Sequence, residues 1–278
     1  MIEYKIELAG TPCSVVEWNP GGSILVFAFH GWLDNLASFE SLVPFLPDIR
    51  LVAVDFPGHG HSDHLLPGRP YHFIDGIYVI DDLANHFGQQ KINLLGHSMG
   101  GALSILYAAA EPGRVNKMVI IESLGPLTSE PGEVQMLLHN TLSQRRSQLD
   151  KNKPVYPRYE LALGIRAQAS QIEAFLIEPI VERGLTKIEG GYTWSADSRL
   201  RNASPIRLSE SHVLSLIQQI HTPVLLIEGE SGYLRNKAQF DARFSLFKTI
   251  ERVIFTGGHH VHLEQPEQCA QQIRKFFA

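Results

Sequence analysis

The chain has 278 residues, 44% hydrophobic and 19% charged, enough to bury a large core as one α/β domain or as a core with an insertion. A formal net charge of −5 without a long basic run argues against nucleic acid or an anionic membrane as a partner. No stretch reaches the ~18 apolar residues of a membrane span, residues 1–20 lack a signal-peptide pattern, and Cys13 and Cys269 stand far apart, so a cytoplasmic setting without disulfides is expected.

Residues 3–9 and 12–18 alternate and read as a hairpin turned at Gly10-Thr11. Continuous apolar runs follow at Ile24–Phe29, Leu51–Val54, Ile92–Leu95, Met118–Ile121 and Val224–Ile227, with a last strand at Arg252–Phe255. Such runs suit strands buried on both faces, hence a parallel sheet. Helical patterns separate them at about 74–87, 99–110 and 209–219, and a last helix covers about 264–277. The alternation predicts a doubly wound, mostly parallel α/β sheet with an antiparallel N-terminal hairpin. One interval breaks the rhythm. Between Glu122 and Pro223 no strand is predicted, and Val134–Leu149, Tyr159–Ala169 and Ile172–Glu182 read as amphipathic helices. Residues 125–206 are therefore expected to form a helical lid, with 1–124 and 207–278 as the core.

The most informative stretch is Ile92-Asn-Leu-Leu-Gly96-His97-Ser98-Met99-Gly100-Gly101. A short apolar run stops at a serine between glycines, and a helix-forming run begins at once. A sharp strand-to-helix turn leaves no room for side chains two residues before and after the serine, which Gly96 and Gly100 satisfy. That turn would lift the Ser98 hydroxyl above the sheet edge and leave the Met99 N–H at a helix start, facing a developing oxyanion.

Ligands of open α/β sheets gather at the carboxyl ends of the strands, so the residues just past each strand matter most. After Ile24–Phe29 comes His30-Gly31-Trp32-Leu33-Asp34-Asn35, where Gly31 lets the chain turn back and the Trp32 N–H could be a second oxyanion donor. His30 reads as a structural hydrogen-bonder. After Leu51–Val54, the Pro57-Gly58 pair and Gly60 mark a tight structural loop. The last predicted strand is followed by Gly257-Gly258-His259-His260-Val261-His262-Leu263-Glu264-Gln265-Pro266, with three histidines competing to be the base.

With Gly-x-Ser-x-Gly at 96–100, Gly258-His259 and Glu264-Gln265-Pro266-Glu267, the chain resembles the α/β-hydrolase fold family over nearly its whole length outside the insertion. The resemblance implies Ser98 as nucleophile and His259 as base, with His260 where a bulky aromatic is common and His262 where a structural histidine is. It usually supplies an aspartate four residues into Gly229-Glu230-Ser231-Gly232, where this chain has Gly232. Some relatives carry the acid one strand earlier, where Met118–Ile121 ends in Glu122. Glu122 is thus the expected acid and Glu230 the alternative. His30 to Asn35, with the acid at Glu122, looks most like the serine-hydrolase-like branch. Dehalogenase and epoxide hydrolase chemistry needs an aspartate nucleophile, which Ser98 replaces. The implied activity is hydrolysis of a carboxylic ester, or a related acyl bond such as a thioester, of a small-molecule substrate, with no metal or organic cofactor. Lid residues Arg145, Arg146 and Arg158 read as solvated, and Tyr192 to Arg199 as an aromatic packing point beside a solvated charge cluster.

Two other readings stay open. His59-Gly60-His61-Ser62-Asp63-His64 spells the His-x-His-x-Asp-His signature of zinc-dependent hydrolases, whose imidazoles and carboxylate could hold zinc around a hydroxide. The helix-forming run after Ser98, where the zinc fold would want a strand, argues against it. A non-catalytic ligand-binding protein on the same fold is the other, and the intact Ser98 and His259 argue against that.

Overall fold

Strands β1 (Ile2–Leu8) and β2 (Thr11–Trp18) form the antiparallel hairpin, with Leu8 opposite Thr11, in a computed structural model that describes residues 1–148, 153–202, 204–234 and 238–278. The chain continues through β3 (Ile24–Phe29), a 3-10 stretch at Leu36–Phe45, β4 (Ile49–Val54), α1 (Gly76–His86), β5 (Ile92–His97), α2 (Met99–Ala110) and β6 (Val115–Ile121). It closes with α6 (Glu210–Ile217), β9 (Val224–Gly229), α7 (Ala238–Leu246), β10 (Ile250–Phe255), α8 (Val261–Glu264) and α9 (Pro266–Phe277). The eight-stranded sheet has the order β1-β2-β4-β3-β5-β6-β9-β10, antiparallel at β1/β2 and β2/β4 and parallel from β4 onward. The predicted doubly wound α/β sheet is what forms.

The apolar runs are continuous because alternate residues feed two cores. Phe27, Phe29, Leu94, Met118, Ile120 and Leu226 pack on one face beneath α1, α2 and α6. Val26, Ala28, Leu95, Val119, Ile121 and Ile227 pack on the other, against Phe39 and Leu42 of the 3-10 stretch and Ile273 and Phe277 of α9. Neither the 3-10 stretch nor α7 has a clear sequence signature; Pro44 and the closely spaced apolar residues of the former blur any helical period.

Between β6 and β9 lie α3 (Val134–Gln148), α4 (Tyr159–Ser170), α5 (Ala174–Gly184), β7 (Leu185–Ile188) and β8 (Gly191–Trp194). The last residue of the first predicted helix here, Leu149, lies outside the described residues. The β7/β8 hairpin corrects the expectation of no strand in this interval: four-residue strands, partly or fully exposed, are too short for a period of two to register. Ile177, Ile180 and Val181 of α5 pack with Leu263 of α8, which docks this segment on the chain just beyond β10. Polar contacts fix the seam. Asn35 Nδ2 donates to the Ile180 carbonyl at 2.8 Å, and Arg183 reaches buried Asp55 at 2.9 Å and Glu3 at 2.7 Å.

Candidate active site

Ser98 occupies the turn between β5 and α2 with φ 50° and ψ −110°, a strained conformation for a residue with a side chain. The elbow can close only because its neighbours are glycines. A Cβ on Gly96 would lie 2.6 Å from the Gly101 backbone, and one on Gly100 would lie 2.0 Å from the Phe29 carbonyl oxygen. Backbone bonds hold the turn from both neighbouring strands: Ser98 N–H donates to the Ile121 carbonyl and Gly100 N–H to the His30 carbonyl.

His259 arrives on the loop between β10 and α8, and its Nε2 is 2.9 Å from Ser98 Oγ. Glu264 ties that loop by accepting the Gly258 N–H at 2.6 Å, giving the Glu-x-Pro pattern a physical task. Glu122 lies one residue past β6, also at positive φ (53°), with Oε2 3.4 Å from His259 Nδ1. Its buried carboxylate accepts the Gly229 N–H at Oε1 (2.8 Å) and the Tyr233 N–H at Oε2 (2.7 Å). Gly232 explains how it fits. A Cβ there would lie 2.1 Å from Glu122 Oε1, so the absence of a side chain at 232 leaves the space that the Glu122 carboxylate fills. The sequence already pairs the missing acid at Gly232 with Glu122 one strand earlier; what it does not contain is that the bare glycine leaves room for that carboxylate. Glu230 points elsewhere: it is exposed, and its Oε2 accepts from Thr256 Oγ1 at 3.2 Å.

The Met99 N–H lies in the first turn of α2, where amides have no intrahelical acceptor. Trp32 follows Gly31 in the turn after β3, where a Cβ on Gly31 would lie 2.8 Å from Asp34 Oδ2 and 2.9 Å from His97 Nδ1. Trp32 is 52% exposed, and its indole N–H donates to the Leu200 carbonyl at 3.0 Å, linking this turn to the segment between β6 and β9. His30 behaves as a structural residue: it bridges the Gly31 carbonyl (2.7 Å) and the Phe56 N–H (3.0 Å), and burial pushes its pKa down to about 4.

The His59 to His64 motif does not converge. Buried His59 contacts the Pro57 carbonyl at 3.2 Å, and burial lowers its pKa to about 3. His61 faces Glu3, Asp63 pairs with Lys5, and His64 faces Asp197 and the Ser195 carbonyl. Arg145, Arg146 and Arg158 are exposed as expected. Arg166, Arg183 and Arg199 were missed: each pairs with a buried aspartate (Asp34, Asp55 and Asp197). Asp197 corrects the solvated-cluster reading of Tyr192 to Arg199, since it is buried and accepts from Tyr71 and Arg199.

The serine elbow, the imidazole on the loop past β10 and the sheet order define one class of protein. The family model for the alpha/beta hydrolase fold matches residues 24–266, and the chain belongs to that family, in its serine-hydrolase-like branch. It is a hydrolase. It is 31% identical over 287 residues to the probable serine hydrolase of Drosophila melanogaster, covering 99% of this chain and 87% of that one. The hypothetical protein PA1622 of Pseudomonas aeruginosa PAO1 is similar in structure, with TM-score 0.92, 35% identity and coverage of 100% and 98%. The thioesterase domain of the curacin biosynthetic pathway is similar at TM-score 0.86 and 25% identity, covering 99% of each chain. Among the described residues no helix is long and apolar enough to cross a membrane.

Proposed function

We propose that this hydrolase cleaves a carboxylic ester or a related acyl bond, thioesters included, of a small-molecule substrate through Ser98, His259 and Glu122. The observation that carries the reading is one imidazole bridging the hydroxyl of a strained elbow serine at 2.9 Å and a buried carboxylate at 3.4 Å. In this reading His259 Nε2 takes the Ser98 proton as Oγ attacks the acyl carbon. The carbonyl electron pair moves onto oxygen, held by the Trp32 and Met99 N–H groups. Collapse expels the alcohol or thiol, which receives the proton from His259. Water, deprotonated by the same nitrogen, then attacks the acyl-enzyme, releasing the acid and restoring Ser98. Glu122 accepts the Nδ1–H throughout, fixing the tautomer and stabilising the imidazolium. Residues 125–206 serve as the lid that shapes the acyl site. Support for including thioesters comes from the similarity to the curacin thioesterase domain.

A fluorophosphonate probe tests the reading. Wild-type protein is expected to be labelled and to hydrolyse p-nitrophenyl esters of some chain length, or acyl-CoA thioesters. Ser98→Ala, correctly folded, is expected to lose both. Undiminished labelling or turnover in Ser98→Ala, or an inert and unlabelled wild type, would overturn it.

A further inference from the structure

The turn after β3 and the segment after β10 bring together three ionisable side chains that the reading above leaves without a task. Asp34 is 3% exposed, His97 is fully buried and His260 is 6% exposed. Asp34 Oδ2 stands 3.5 Å from His97 Nδ1 and accepts a hydrogen bond from His260 Nε2 at 3.3 Å. One ligand atom from each of the three lies within 4.8 Å of the others.

The tautomer of His97 makes this arrangement informative. Its Nε2 is 2.9 Å from the backbone oxygen of His259. A carbonyl only accepts, so Nε2 carries the proton and a neutral His97 turns its Nδ1 lone pair on the Asp34 carboxylate. Among the described residues that buried Nδ1 has no hydrogen-bond partner. Lone pairs facing one another away from water call for a cation between them. Bonds of about 2.0–2.1 Å to imidazole nitrogen and carboxylate oxygen, in a tetrahedral arrangement, put ligand atoms about 3.3–3.4 Å apart, close to both separations seen here. The surroundings of His97 and Asp34 also match those of metal ligands, whereas His260 Nδ1 has no partner among the described residues. A ligating histidine ordinarily donates its other N–H to a carbonyl, as His97 does, and a ligating carboxylate is itself hydrogen-bonded, as Asp34 is by Arg166 through Oδ1.

We propose that Asp34 Oδ2, His97 Nδ1 and His260 Nε2 bind a divalent transition-metal ion such as Zn²⁺, which displaces to solvent the proton of the His260–Asp34 hydrogen bond, with water completing the coordination. Two imidazoles and one carboxylate favour Zn²⁺, Co²⁺, Ni²⁺ or Cu²⁺ over Ca²⁺ or Mg²⁺. Arg166, a cation on the same carboxylate, weakens the site, so affinity well below that of a closed structural zinc site is expected. The ion would lie one side chain away from His259, joined to it by the His97 hydrogen bond.

The test is metal binding by the chelator-treated protein. Titration with Co²⁺ is expected to give visible d–d bands of four-coordinate cobalt that saturate at one equivalent and bleach on adding Zn²⁺. Equilibrium dialysis with Zn²⁺ is expected to show His260→Gln weakening binding about tenfold or more, while a His61→Gln/His64→Gln double variant binds as wild type. Absence of the cobalt bands would overturn the proposal. So would zinc binding that follows His61 and His64. The cobalt bands are read in wild-type protein, so the result stands even if His260→Gln folds poorly.

Discussion

Glu122→Gln isolates the charge of the carboxylate from its shape. The amide must place NH₂ at one of two positions. At the Oε1 position it would confront only the Gly229 N–H; at the Oε2 position it would confront both the Tyr233 N–H and His259. The first orientation wins, so the amide oxygen still accepts the His259 Nδ1–H and what is lost is mainly the negative charge. A carboxylate and an imidazolium 3.4 Å apart attract by about 5 kcal/mol at an effective dielectric constant of about 20. The His259 side chain is 33% exposed, and screening trims the gain to about 2–4 kcal/mol. The expected fall in acylation rate is therefore roughly 30- to 1,000-fold. The amide facing the Gly229 N–H also costs about 1–3 kcal/mol of stability, so the melting temperature must be measured alongside. The assay is single-turnover release of p-nitrophenol together with the rate of fluorophosphonate labelling. A folded Glu122→Gln protein within threefold of wild type, or an equal loss in Glu230→Gln, would refute the assignment.

Gly100→Ala drives a Cβ to 2.0 Å from the Phe29 carbonyl, whereas Gly113→Ala meets nothing within 4 Å; the first should destabilise by about 1–3 kcal/mol and lower the melting temperature, the second should not. Acid should weaken the fold through His30 and His59. Their folded pKa values, about 4 and about 3, lie below the unfolded value of about 6.5, so the unfolded chain binds more protons between those limits and stability falls as pH drops from about 6.5 toward 4. Each group contributes of the order of 3 kcal/mol, and a melting-temperature profile of His59→Phe should be shallower over that range; an unchanged slope would refute its part.

Sequence legibility followed the physics of each element. The parallel strands were readable because burial on both faces forces unbroken apolar runs, and Ser98 was readable because the elbow forces glycine at 96 and 100. The β7/β8 hairpin was hidden by its length, and the 3-10 stretch by its lack of a helical period. The buried pairs Arg166–Asp34, Arg183–Asp55 and Arg199–Asp197 join residues 132, 128 and 2 positions apart; the first two depend on tertiary approach, and in the third the burial of Asp197 does. His97 and His260 belong to the serine elbow and the loop after β10, yet nothing local in the sequence says that both turn toward Asp34.

The pairing of Glu122 with Gly232 leads to the sharpest remaining test. β6 and β9 are parallel neighbours with Ile121 opposite Ile227, and the Glu122 N–H donates to the Ile227 carbonyl, so the two strand ends open on one space. A single carboxylate fits there, because a side chain at 232 would begin 2.1 Å from Glu122 Oε1. Gly232→Asp alone should therefore impair the enzyme through overlap and like charge. Glu122→Gly, tolerated at φ 53°, should impair it by removing the acid. Combining them should restore at least about tenfold of the rate lost in Glu122→Gly, because the aspartate then enters the vacated volume beside His259 Nδ1. Ester hydrolysis by the three folded variants decides the matter: a double variant no faster than Glu122→Gly would mean that the two positions do not exchange one carboxylate.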